Sequence, residues 1–196
     1  MAEDYATLAA LKVALHLEPS DTTSDGLLGQ ALTSASRSID VSCGRRFWLD
    51  DDPSAREYST SGRVLPCDGG TRLLVDDIGA ADGLIVETGS TADGWTAAAD
   101  VELYPDNAFA RGRPVTALVA PSVGWGRRVR VTARWGWPLV PADIQQATQI
   151  QALRLYRRKD SPEGVTGSAE WGVVRLSRRD PDVWALIEHY QAPGFG

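Results

Sequence analysis

The chain has 196 residues, enough for one sizeable core or two small, closely joined subdomains. Its composition, 43% hydrophobic and 23% charged, is that of an ordinary globular protein, and no apolar run reaches the eighteen residues that a membrane span needs. The net charge of −6 argues against a generic nucleic-acid binder, which would be basic.

That charge is unevenly spread. Residues 1–126 carry 9 basic and 19 acidic side chains, whereas residues 127–196 carry 11 and 7. An acidic part and a basic part could meet across subunits or on a partner, or could be two unrelated solvated faces. Eighteen of the twenty basic residues are Arg, which leaves many rigid, bidentate donors for carboxylates. The N-terminus lacks the basic start and small-residue cleavage site of a signal peptide, so synthesis in the cytosol is the expectation. Cys43 and Cys67 form no CxxC and have no neighbouring His, and they read as free thiols.

In chain order, Thr7 is a plausible N-cap for a short helix over residues 8–16, with Leu8, Leu11 and Leu15 on one face. A polar link around Pro19 leads to a second helix over about 24–43. Its apolar positions Leu28, Ala31, Leu32, Ala35, Ile39 and Cys43 form one narrow stripe, and Gly44 ends it.

From Phe47 to Trp135 the pattern shortens to strand-like runs: 56–60, 72–75, 84–88, 101–104, 115–119 and 128–135. Turn signals such as Asp68-Gly69-Gly70, Ala81-Asp82-Gly83 and Asp93-Gly94 separate them. Six such runs predict an antiparallel sheet in a small sandwich or barrel-like domain. The last run alternates strictly, with Val129, Val131, Ala133 and Trp135 on one face and Arg128, Arg130, Thr132 and Arg134 on the other. The Arg face could meet phosphates, but no aromatic residue is interleaved on it, and a solvated or salt-bridged face is the better reading.

In "GWPLVP", Pro138 and Pro141 forbid a central strand, and Pro141 sits near the first turn of a helix reaching about Lys159. Ile144, Ile150, Leu153, Leu155 and Tyr156 lie around most of that helix, which therefore expects neighbours on several sides: helix 24–43 and, for the rest, another subunit. A Gly-rich loop over 160–172 and a short strand over 173–177 follow. Asp180 then caps a last helix with Pro181 in its first position and Val183, Leu186, Ile187 and Tyr190 on its apolar face.

The expected fold is α+β: a helical bundle formed by the N- and C-terminal helices with an inserted antiparallel β domain. The expected boundaries are 1–46, 47–140 and 141–196.

Chemical motifs are scarce. The two histidines, His16 and His189, each lie near a predicted helix end, and GxSxG, HExxH, P-loop and GxGxxG patterns are all missing. Asp50-Asp51-Asp52 lacks calcium-loop spacing and reads as a solvated turn. No catalytic residue, metal site or cofactor is expected. Seven tryptophans raise the alternative of a ligand- or carbohydrate-binding β module, although most of them read as core or interface residues.

The segments "RWGWPLVPADIQQATQIQALRLYRRKDSPEGV" and "GVVRLSRRDPDVWALIEHY", after the helices "YATLAALKVALHL" and "LLGQALTSASRSIDVSCGRRF", resemble the head–tail connector (adaptor) proteins of long-tailed bacteriophages. The resemblance implies a non-enzymatic protein of the virion neck, made in the bacterial host cytoplasm. It implies a ring, commonly of twelve subunits, between the portal protein and the tail-completion or stopper protein. Genomic DNA would pass through the channel without sequence-specific binding, and no membrane would be involved. The contact surfaces expected on this basis are the 154–175 region and the C-terminal helix. Arg154, Arg157, Arg158 and Lys159 would face acidic partner residues, Trp171 would be a buried anchor, and Arg175, Arg178 and Arg179 would complete the interface.

Overall fold

The computed structural model describes residues 3–120, 124–158, 165–166, 174–175 and 180–192. The fold is α+β, with two N-terminal helices, a central antiparallel sheet and two C-terminal helices that complete a bundle with the second helix. The chain divides into two compact units. One is a helical unit of Met1–Arg45 with Val140–Gly194, and the other is a β unit around Arg46–Leu139.

In the helical unit, α1 (Leu8–Ala14) starts where the Thr7 hydroxyl accepts the Ala10 N–H at 3.1 Å. Helix α2 (Asp25–Cys43) buries Leu28, Ala31, Leu32, Ala35, Ile39 and Cys43, and Gly44 closes it in the left-handed conformation. Helix α3 (Ala142–Arg157) begins after Pro141 and packs on α2, on α4 (Pro181–Ile187) and on α1. Val183 and Ile187 of α4 are buried, and Asp180 accepts the Asp182 and Val183 N–H groups. Leu11, Leu28, Leu32, Ala35 and Ala152 form the core where α1, α2 and α3 meet.

The packing of α3 corrects the sequence reading. The several sides it presents are met by three helices of its own unit, with Ile144, Ala147 and Ala152 buried and Ile150, Leu153, Leu155 and Tyr156 half-buried. Its apolar circumference therefore does not by itself require a second subunit. Periodicity counts the neighbours a helix needs, and it cannot say which chain supplies them.

A buried cation ties α1 to the start of α2. Lys12 lies on the inner side of its short helix, where its ammonium donates to the carbonyls of Pro19 at 3.2 Å and Asp21 at 2.8 Å and pairs with Asp25 at 2.7 Å. Three oxygens thus compensate a charge that burial would otherwise penalise.

The β unit is one seven-stranded antiparallel sheet in the order β1-β7-β3-β6-β5, with β2 and β4 hydrogen-bonded to the two ends of β3. The strands are β1 (Ser54–Ser59), β2 (Val64–Cys67), β3 (Gly70–Ser90), β4 (Gly94–Ala97), β5 (Glu102–Tyr104), β6 (Val115–Ala120) and β7 (Arg128–Trp135). The inner faces of β3, β6 and β7 supply the core: Leu73, Val75, Ile78, Val115, Leu118, Val129, Val131, Ala133 and Trp135.

Two expectations fail here. Ala81-Asp82-Gly83 does not separate two strands. Strand β3 runs through it as a bulge, and the chain from Ala80 to Ile85 spans the same stretch as Arg134 to Thr132 on β7. Strands β2 and β4 are absent from the sequence reading. In β2, Pro66 removes a backbone donor, which an edge strand tolerates.

The "RWGWP" corner closes the unit. Trp135 is fully buried and donates from Nε1 to the Ser54 carbonyl at 2.8 Å. Trp137 donates to Asp77 at 3.0 Å and packs on Phe47 with ring centroids 5.2 Å apart. Gly136 between them has φ +111° and donates its N–H to the Asp77 carbonyl at 2.8 Å.

Candidate assembly interface

The residues that sequence reasoning marks for assembly divide into three groups. Arg154 is internal. Its guanidinium meets Asp180 at 3.3 Å with both side chains mostly buried, which ties α3 to the cap of α4. Arg157 and Arg158 close α3 with exposed side chains, at the helix end where cations are favoured, and neither pairs with another described residue. Lys159, Trp171, Arg178 and Arg179 lie outside the described residues. Arg175 is described only as backbone, in a two-stranded hairpin of β8 (Val165–Thr166) and β9 (Val174–Arg175), within which Val165 is its partner. The sequence reading has only a strand over 173–177 there and misses its partner.

Sequence reasoning misses a groove of about 220 Å³ between α2 and α3. Leu27, Ala31, Leu155 and Tyr156 give it apolar walls, and Gln30 and Ser34 give it uncharged hydrogen-bonding groups. Leu27 is half exposed because it lies off the buried stripe of α2. The Tyr156 hydroxyl and the Ser24 hydroxyl are 2.9 Å apart, which fixes one end of the groove. Further along α2, a smaller polar pocket of about 80 Å³ is bounded by Ser38, Ser42, Gln151, Asp180 and Trp184. The outward strip Leu27, Gln30, Ser34, Ser38 and Val41 is exposed and carries no charge. Position on a helical wheel could have found this strip, but exposure, which depends on α3 and α4, could not be read from it.

The Arg face of β7 is occupied within the sheet. Arg128 pairs with Glu57 at 2.9 Å, Arg130 with Glu87 at 2.7 Å, and Arg134 donates to the Asp50 carbonyl at 3.0 Å. Arg130 also stacks on Trp95, its guanidinium 4.6 Å from the ring centroid. Asp50 of the acidic turn pairs with Arg46. Among the described residues, Trp135 and Trp137 are buried, and Trp48, Trp95, Trp125 and Trp184 are partly buried.

The β2–β3 hairpin carries a different surface. Val64 turns toward the core, whereas Leu65 turns outward opposite Arg72, whose guanidinium sits 3.5 Å from the Tyr104 ring centroid. Leu65 is 46% exposed, and exposed Asp68 forms the tip.

Burial raises the Cys43 thiol from its ordinary 9.0 to about 11, and burial together with the Asp76 charge raises the Tyr58 phenol. His189 lies 3.7 Å from Asp143, which also accepts the Tyr190 hydroxyl at 3.1 Å. Among the described residues no group of three or more His, Cys, Asp or Glu side chains is placed to hold a metal ion, and no helix is long and apolar enough to cross a membrane.

The sequence matches no family model and no curated protein. The fold does match solved structures. One is a chain from the neck of an empty gene transfer agent particle computed with C6 symmetry, at TM-score 0.53 and 17% identity, covering all of this chain and 94% of that one. Two further similar chains come from the neck of the native particle computed with C12 symmetry (TM-score 0.45, 18% identity, 100% and 97% covered) and from its virion (TM-score 0.49, 17% identity, 95% and 89% covered). At these identities the likeness is one of fold.

Proposed function

We propose that this chain is a structural subunit of a phage-type neck, a head-to-tail connector that forms a ring between the portal and the tail-completion protein and extends the DNA channel. The observation that carries the reading is the fold likeness over the whole chain to a neck subunit of a phage-like particle. The order of elements adds support, because both helical segments of the connector-like sequence pack into one bundle around α2. The internal pairing of the β7 arginines also fits a conduit, since arginines already bound to carboxylates do not present a sticky basic lumen. Arg157 and Arg158 are the exposed cations of α3 available to acidic neighbours.

The test is charge reversal. In a genome encoding Arg157→Glu and Arg158→Glu, the chain folds normally, as circular dichroism checks, and DNA-filled heads without tails accumulate. Normal tailed particles from that variant contradict the role given to these residues.

A further inference from the structure

The α2 wall of the α2–α3 groove is Leu27, Gln30, Ala31 and Ser34, and Leu155 and Tyr156 of α3 close the far side. The α2 residues stand at i, i+3, i+4 and i+7, the set of four that surrounds one inserted side chain when two helices pack knobs into holes. Such a hole fits an aliphatic knob from a facing helix. Helix α2 itself carries one: Val41 is 84% exposed, the highest value among the described large apolar side chains, and it lies on the same outward strip as the hole. That strip has the symmetry a second copy needs. Leu27, Gln30, Ser34, Ser38 and Val41 follow one another at intervals of 3, 4, 4 and 3 residues, the same read in either direction. Two α2 helices set antiparallel about Ser34 therefore match Leu27 with Val41, Gln30 with Ser38 and Ser34 with its own copy. The strip carries no charge, and the three charged residues of α2 are paired within the chain, Asp25 with Lys12 and Arg37 with Asp40.

We propose that α2 pairs antiparallel with α2 of a second copy of this chain, with Val41 of each copy seated in the α2–α3 groove of the other. The small Ser34 side chains let the two backbones approach at the centre, and the amide of Gln30 meets the hydroxyl of Ser38 on either side. The contact is isologous and closes at two copies. The strip spans about 21 Å, fourteen residues at about 1.5 Å each, and is one helix wide. It buries less than the roughly 1,200 Å² of a standard stable interface, so the pair is weak and forms at high chain concentration. Neighbours in a larger cyclic ring are related by less than a half turn, which makes this pair a state of the chain outside a ring.

Cross-linking of the full chain tests register and direction together. Cys67→Ser removes the less buried of the two native thiols, and Cys43 is buried. In that background a short bismaleimide links chains carrying Leu27→Cys to chains carrying Val41→Cys, giving about tenfold more covalent dimer than either variant gives alone, because each introduced thiol stands about 21 Å from its own copy. Ser34→Cys, at the two-fold centre, links to itself and stops at the dimer. Adding Val41→Asp to Ser34→Cys lowers the dimer yield about tenfold, since it sets a charge into the apolar groove. Circular dichroism checks that the fold is kept, as expected for a side chain 84% exposed. Leu27→Cys linking to itself as well as to Val41→Cys overturns the antiparallel pairing, and a dimer yield unmoved by Val41→Asp overturns the seat in the groove. Monomers alone at millimolar chain overturn the pair altogether, as does a ladder beyond the dimer from Ser34→Cys. The chain is measured without portal, so these outcomes stand apart from the connector role, which loss of portal binding would remove while leaving the cross-link intact.

Discussion

Gly136 lies directly against the carbonyl oxygen of Trp48, so closely that a Cβ at position 136 would collide with it. Its φ of +111° is also a conformation that side-chain-bearing residues rarely adopt. Two tryptophans and a glycine thus stand together for a mechanical reason. Trp135 and Trp137 point into the β unit, and the backbone between them passes flush against the strand-leading segment at Trp48. Gly136→Ala is expected to destabilise the protein by about 3 kcal/mol or more, combining strain with displacement of the Trp48 backbone. Denaturant unfolding followed by tryptophan fluorescence measures it. A loss below about 1 kcal/mol contradicts the described corner.

Lys12 offers a second test. Lys12→Met removes the ammonium and leaves the Pro19 and Asp21 carbonyls and the Asp25 carboxylate uncompensated. The expected cost is about 2 kcal/mol or more, discounted from the fully buried case because Asp25 is partly exposed. Adding Asp25→Asn recovers part of the loss, since the stranded charge goes with it. Equal stability of the single and double variants in urea melts contradicts the cage.

The thiol at Cys43 makes a pH prediction. Its folded value, about 11, exceeds its ordinary 9.0 because burial disfavours the thiolate. Below pH 9 both folded and unfolded chains keep the proton. Between about pH 9 and 11 the unfolded chain loses it first, so stability falls with rising pH by up to about 1.4 kcal/mol per unit. Cys43→Ala flattens this limb without abolishing it, because the raised Tyr58 phenol acts in the same direction. At about pH 8, below the ordinary thiol value, iodoacetamide labels Cys67 well before Cys43, and unfolding equalises the two. Equal labelling of the folded chain, read by mass spectrometry, contradicts the burial of Cys43.

At Asp180 two roles coincide, capping α4 and pairing with Arg154. Asp180→Asn keeps the cap and loses the charge, whereas Asp180→Ala loses both. The Ala variant is expected to cost about 1 to 2 kcal/mol, and the Asn variant less. Thermal melts that rank them the other way contradict the capping geometry.

Much of this architecture is legible in the sequence where one physical rule acts alone. Helix α2 shows a single apolar stripe and a terminal Gly44, and its buried residues include every one that stripe names. Strand β7 alternates, and the alternation is the burial pattern. Legibility fails where two rules compete. Ala81-Asp82-Gly83 carries turn chemistry, yet it bulges out of β3 because the sheet on both sides holds the strand's course. Pro66 argues against a central strand and is silent about an edge. At the candidate interface, Arg154, Arg157 and Arg158 look alike in sequence. Only the cap of α4, brought over by the fold, separates the internal Arg154 from the two exposed arginines. The groove wall at Leu27 and Tyr156 comes from two helices far apart in the chain, a separation no local pattern spans.

Native mass spectrometry of the full chain, alone and mixed with the portal protein that the proposed connector role requires, tests that role most directly. The account predicts a defined multimer of this chain on the assembled portal, lost on charge reversal at Arg157 and Arg158. A portal that retains only its own mass with the intact chain in excess contradicts it.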